Sequence, residues 1–156
     1  MKTRTILASA VAFFSGIALC YAADPNMGTW KLNEANSKFG PGSARNQTVV
    51  YEIAGTGDNV KIIVDGMDKD GKPIHSEWTG KFDGKDYPVT GSPVEDARTY
   101  TKVDDRTLEF TSKKGGKAFV TGRVVISADG KSRTVTTTST DSSGNKIQNT
   151  AAYDRQ

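Results

Sequence analysis

Residues 60–80 read VKIIVDGMDKDGKPIHSEWTG. Val60, Ile62 and Val64 alternate with Lys61 and Asp65; after Asp70-Gly71-Lys72 the rhythm resumes in Ile74, Ser76, Trp78, Gly80 and Phe82, with His75, Glu77 and Lys81 between them. A period of two places the two sets on opposite faces of a strand, whereas an amphipathic helix repeats every three to four residues. The glycine in the interrupting tripeptide supplies the positive backbone angle that a tight reversal needs. The stretch therefore predicts two antiparallel strands, each with one face buried and one in water.

The pattern extends outward from this hairpin. It recurs in Val49, Tyr51 and Ile53; in Leu108 and Phe110; in Ala118, Val120, Gly122, Val124 and Ile126; in Val135, Thr137 and Ser139; and in Ile147, Asn149, Ala151 and Tyr153. Asp83-Gly84-Lys85 and Asp129-Gly130-Lys131 repeat the turn tripeptide, and Gly55 to Asn59, Gly115-Gly116 and Gly144-Asn145 separate other strand pairs. Strands are predicted near 28–33, 47–54, 60–66, 73–82, 85–90, 98–104, 107–114, 117–127, 132–141 and 146–154. Helices are starved of their formers, since beyond residue 22 leucine occurs only at Leu32 and Leu108 while threonine occurs 16 times and glycine 15 times. A meander of this many short strands has edges to protect, and closure removes them. The prediction is an all-β protein, a single antiparallel up-and-down barrel of about eight to ten strands. Glu34 to Asn46 lacks a pattern and is predicted as a loop, with a short turn of helix at Glu34 to Lys38.

The chain opens with Lys2 and Arg4, then an apolar run from Ile6 to Leu19, then small residues, which together read as a signal peptide spanning 1–22 with cleavage after Ala22, or alternatively after Ala23. A retained anchor fits less well, because the run is short for a bilayer and Pro25 follows. Acylation of Cys20 is disfavoured by Leu19 before it. Residues 23–156 then form one domain, the β-barrel, without cysteine and so without disulfides, in a periplasmic or secreted setting. Taking Lys2 and Arg4 from the 21 basic residues, against 18 acidic ones, leaves a net charge of +1. A polyanion partner is therefore not indicated and no nucleic acid is expected; nor is stable membrane insertion after cleavage, because no second stretch is apolar enough to span a bilayer.

Gly28-Thr29-Trp30 opens the first strand of this all-β meander, and the chain resembles the calycin superfamily of lipocalins and fatty-acid-binding proteins, and within it small exported bacterial lipocalin-like proteins. The resemblance implies that Trp30 closes one barrel end and that Arg155, on the last strand, packs against it. Two departures accompany it. The helical lid of the intracellular fatty-acid binders has no counterpart in 34–46, and their Arg-x-Tyr carboxylate clamp aligns with Ala151-Ala152-Tyr153, where the arginine is missing. Neutral or weakly polar ligands are accordingly expected to bind better than long-chain carboxylates.

Catalytic patterns are sparse. His75, the only histidine, shares a strand face with Glu77 and Thr79 and is expected to point to solvent, and no nucleophile elbow occurs. One histidine and no mature cysteine leave a transition metal without its usual ligands. Asp68, Asp70 and Glu77 match part of a calcium loop, but the first ligand position falls on Gly66 and the flanks alternate as strands do, so a hairpin turn is the reading and no metal is expected. Gly55-Thr56-Gly57 lacks the lysine of a phosphate loop, and Lys113, Lys114 and Lys117 mark a solvated hairpin tip. The functional expectation is an exported, non-enzymatic barrel without cofactor, holding a small apolar or amphipathic molecule against Tyr51, Ile62, Trp78, Phe82, Leu108, Phe110 and Val120. Inward Ser76, Gly80, Gly122, Thr137 and Ser139 are expected to leave room for it. The alternative is a ligand-free envelope structural or protein-interaction module.

Overall fold

Each alternating stretch is a strand in the computed structural model, which describes residues 24–141 and 143–156; the leader, its cleavage site and Cys20 lie outside them. Ten strands follow one another: β1 (Gly28–Lys38), β2 (Arg45–Ile53), β3 (Val60–Met67), β4 (Pro73–Gly80), β5 (Asp83–Thr90), β6 (Ala97–Asp104), β7 (Thr107–Lys114), β8 (Lys117–Ile126), β9 (Ser132–Thr140) and β10 (Lys146–Arg155). Every strand pairs antiparallel with its chain neighbours, and β1 pairs with β10, so the sheet closes as an up-and-down barrel. Where the turn demands it, glycine carries the reversal: Gly115 and Gly116, both at positive φ (55° and 75°), form the two-residue link between Lys114 and Lys117.

Two expectations about the elements need correction. Glu34 to Lys38 is strand, not helix: β1 continues past an irregularity after Asn33 and regains register at Lys38 opposite Thr150. Ser37 makes this possible, its hydroxyl donating to the Asn33 carbonyl (2.7 Å) and accepting from the Ala152 amide (2.9 Å), so the bulged backbone keeps its polar partners. Asp83-Gly84-Lys85 is not a hairpin tip. β4 stops at Gly80, the reversal falls on Lys81-Phe82, and the tripeptide is the irregular start of β5, with Gly84 at φ 79° and register against β6 shifting between Asp83 and Asp86. β4 and β5 consequently share only two paired positions, Glu77 with Thr90 and Trp78 with Val89.

The interior is layered. Trp30, Val49, Tyr51, Val60, Ile62, Val64, Trp78, Leu108, Val124, Ile126 and Tyr153 are buried. Ile53, on the same face of β2 as Tyr51, passes the barrel rim and is exposed. One end, where Gly28 and Arg155 lie, is sealed by Trp30, whose indole Nε1 donates to the Asn26 carbonyl (3.1 Å). Arg155 lies over the ring at 4.3 Å and donates to the carbonyls of Gly130 (2.7 Å), Met27 (2.6 Å) and Pro25. This is the placement that the calycin resemblance implies for both residues. The other end carries the connections after β1, β3, β5, β7 and β9.

Candidate functional site

The register brings inward residues of β5 to β10 into two oblique rows near the loop-bearing end. Tyr87, Arg98, Ser112, Val120, Ser139 and Ile147 are successive partners across the strands, and so are Tyr100, Phe110, Gly122, Thr137 and Asn149. Val120, Thr137, Ser139, Ile147 and Asn149 face inward yet are only half-buried, as is Ser76 on the facing wall. In the sealed half the inward residues are buried almost completely. The mouth end of the interior is therefore reachable by solvent, and the inner walls differ: β2 to β4 carry Val49, Tyr51, Ile62, Val64 and Trp78, all buried, whereas β6 to β10 mix hydroxyls, an amide and a guanidinium with Phe110, Val120 and Ile147.

Of the seven residues expected to wall a pocket, Tyr51, Trp78, Phe82 and Phe110 come together in one aromatic cluster, completed by Tyr100 and Tyr87. Trp78 stacks on Phe82 (centroids 6.2 Å apart, planes 12° apart) and meets Tyr100 edge-on at 4.9 Å; Tyr100 lies 5.5 Å from Phe110, and Phe82 6.5 Å from Tyr51. Ile62 and Leu108 are buried in the core beneath, and Val120 stands half-buried near the rim. Room expected above two glycines is not there. A Cβ on Gly122 would lie 2.2 Å from the Phe110 ring and one on Gly80 2.4 Å from Tyr87, so each missing side chain is replaced by a neighbouring aromatic ring.

The buried polar residues do not stand out in the pattern of apolar residues. Glu95, from the loop between β5 and β6, turns inward and forms an ion pair with Arg98, both side chains largely shielded from solvent. Arg98 also donates from Nε to Ser112 Oγ (3.2 Å) and from Nη1 to Tyr100 Oη (3.2 Å), while its own carbonyl accepts from Trp78 Nε1 (2.9 Å). Burial opposes its charge, but Tyr100 and Glu95 outweigh burial and hold the guanidinium above its ordinary value. Burial, then the neighbouring Tyr51 hydroxyl, raise the Tyr100 phenol well above its usual range. Asn149 accepts from Gly40 N (2.7 Å) and Ser43 Oγ (2.8 Å), which fixes the loop after β1 over the mouth.

Arg133, at the start of β9 opposite Tyr153 and Ile126, is as deeply buried as Tyr100, at 2% exposure. Its guanidinium carbon lies 4.7 Å from the Trp30 ring, 4.8 Å from Tyr51 and 5.0 Å from Tyr153. Nε and Nη1 are buried without a hydrogen-bond acceptor among the described residues. Tyr153, whose hydroxyl donates to the Asn46 carbonyl (3.0 Å), is pushed up to about 12 by burial, against the opposing pull of Arg133. A signal for Arg133 was present, since it continues the inward set Val135, Thr137 and Ser139 two residues back; Arg98 and Tyr100 alternate in the same way on β6.

The surface residues behave as turns and ion pairs. His75 is exposed, with Nδ1 2.7 Å from Asp65 Oδ1; that hydrogen bond keeps its imidazolium charged above the ordinary histidine value. Asp68 accepts from the amides of Asp70 (2.8 Å) and Lys72 (2.9 Å) as a turn residue, and Glu77 pairs with Lys61 (3.1 Å). Two larger recesses, about 570 Å³ beside Phe39, Arg45 and Met67 and about 590 Å³ beside Asp24, Lys102 and Asp129, are lined by none of the seven residues. They are open and mixed in charge, and neither concentrates the aromatic surface that the interior does.

No protein-family model matches the chain, and no curated protein matches it. Among solved structures it is similar to the redesigned β-barrel mFAP1 bound to DFHBI, with 19% identity over 84% of this chain and 95% of that one and a TM-score of 0.47. It is also similar to a second barrel, from the de novo design of a fluorescence-activating β-barrel, with 21% identity over 86% of this chain and 97% of that one and a TM-score of 0.43.

Proposed function

We propose that the protein is an exported, non-enzymatic barrel that binds a small amphipathic molecule in the upper half of its interior. The supporting observation is the contrast between its two inner walls. An aromatic and aliphatic surface on β2 to β4 faces half-buried Thr137, Ser139 and Asn149 across a mouth that solvent reaches. Apolar area on one side and a few polar groups on the other are what a pocket needs to hold and orient such a ligand. Phe82, Tyr87 and Phe110, each half-buried, complete an aromatic surface that a planar molecule would share. The outer face carries Lys61, Glu77, Glu109 and Arg123 in ion pairs, which suits a barrel in water and not one with an apolar lipid-facing band. Export rests on the basic start and the apolar run from Ile6 to Leu19.

The test is titration with the neutral fluorophore N-phenyl-1-naphthylamine. Saturable binding should quench Trp78 emission, read in Trp30→Phe, while Trp78→Phe, which leaves only Trp30, should respond less. Native mass spectrometry of the protein from its source should show a co-purifying small molecule. If saturating probe leaves Trp78 emission unchanged in folded protein, the ligand-free structural or interaction module takes its place. That second reading draws on Phe110 and Tyr87, whose rings fill the space over Gly122 and Gly80.

A further inference from the structure

The junction between β4 and β5 is closed differently from the rest of the barrel wall. Its two paired positions are fewer than any other neighbouring strands share among the described residues. Beyond Trp78 and Val89 the same register would set Thr79 opposite Pro88, which has no N–H to donate, and no pairing resumes before the reversal at Lys81-Phe82. Aromatic side chains cover the stretch instead. The Tyr87 ring lies against Gly80, where a Cβ would be 2.4 Å from it, and meets Trp78 edge-on at 5.7 Å, while Phe82 stacks on Trp78. Tyr87 and Phe82 are half-buried, and the Tyr87 hydroxyl donates to the exposed Asp83 carboxylate (3.0 Å).

Tyr100 stands directly behind these rings, 4.9 Å from Trp78 and 5.6 Å from Phe82. From the mouth the same cluster is screened. Arg98, two residues nearer the mouth on β6, sets its guanidinium 5.4 Å from the Phe110 ring and 5.9 Å from the Tyr100 ring, and its bonds to Glu95, Ser112 and Tyr100 hold it there. A molecule coming from the mouth has to displace a buried ion pair, whereas one coming from the side has to turn a single ring held by one surface hydrogen bond. The second motion is the easier, because a buried pair that is parted loses far more than an exposed hydrogen bond does. We propose that ligand reaches the aromatic cluster through the wall between β4 and β5, and that Tyr87 is the gate. This rests on the ligand-binding reading above and gives the route to its site. Rotation of Tyr87 about its side-chain bonds uncovers Gly80 and the edge of Trp78 without breaking a backbone ladder.

Stopped-flow mixing with N-phenyl-1-naphthylamine tests the route. A gate sets the barrier to entry and exit alike, so Tyr87→Ala should raise association and dissociation rates together by about tenfold or more, with affinity changed less than about threefold. Tyr87→Phe keeps the ring and loses the bond to Asp83; both rates should rise about 2- to 10-fold, the worth of one hydrogen bond. Asn149→Ala, which frees the loop over the mouth, should leave them unchanged. Rates unaffected by the Tyr87 variants, or accelerated more by Asn149→Ala than by Tyr87→Phe, overturn the proposal; Tyr87→Phe is read alone should Tyr87→Ala not fold. Acrylamide quenching of Trp78, read in Trp30→Phe, needs no ligand. Adding Tyr87→Phe should raise it severalfold, and an unchanged value overturns the gate. If the probe binds none of these proteins saturably, it is the ligand-binding reading that fails, and the quenching result decides by itself whether Tyr87 opens.

Discussion

Trp30 packs against two guanidinium groups, those of Arg155 at 4.3 Å and Arg133 at 4.7 Å, and is itself fully buried. Its removal takes away core volume and a ring from each arginine, so Trp30→Ala should destabilise by about 3 to 5 kcal/mol in urea unfolding, the usual cost of deleting a large buried aromatic. A near-neutral result would mean that the sealed end does not depend on this ring. The positions of Trp30 and Arg155 were legible in advance, because Gly28-Thr29-Trp30 resembles a family in which such a tryptophan and a basic residue meet. Arg133 was not, although its spacing from Val135 places it on the inward face. Following apolar residues at period two passes over a charge, and a charge on an inward position is the one that reports a buried polar site. The same oversight hid Arg98, and Glu95 could not be placed at all, since a loop residue has no periodicity to give away its direction.

At the scale of elements, the hairpins followed from their alternation, but what glycines do inside them did not. Gly122 on β8 and Phe110 on β7 are register partners, and the ring occupies the space of the absent side chain. Gly122→Ala should therefore destabilise by about 1 to 3 kcal/mol, the cost of overpacking a filled site. Phe110→Leu in the same chain should recover part of the loss, a coupling that a double-mutant cycle measures. If Gly122→Ala is neutral, the upper interior has more slack than the packing indicates. Small residues on an inward face looked like volume because a list of side chains does not show which neighbour leans over them. The start of β5 was misread for a related reason: Asp83-Gly84-Lys85 has the composition of a turn, and that composition equally suits an irregular strand end with one glycine at positive φ.

Across the whole molecule the sheet is continuous but unevenly stitched. Long registers join β9 to β10 and β2 to β3, while β4 and β5 are held by two paired positions beside Trp78. Hydrogen exchange should show this seam opening first, with amides of residues 79–86 losing protection under conditions that leave β9 and β10 intact. Uniform protection around the barrel would contradict that picture. The closure itself has a bearing on time. Nine of the ten pairings join strands adjacent in the chain and can form as each hairpin emerges, but the pairing of β1 with β10 waits for the last strand. The arginine that covers Trp30 bonds a carbonyl 128 residues earlier in the chain. Until it arrives the molecule is an open ribbon with two unsatisfied edges and an uncovered indole, the state most prone to joining another chain. The rate of that single long-range encounter, more than the strength of any hairpin, decides how long each new copy remains sticky.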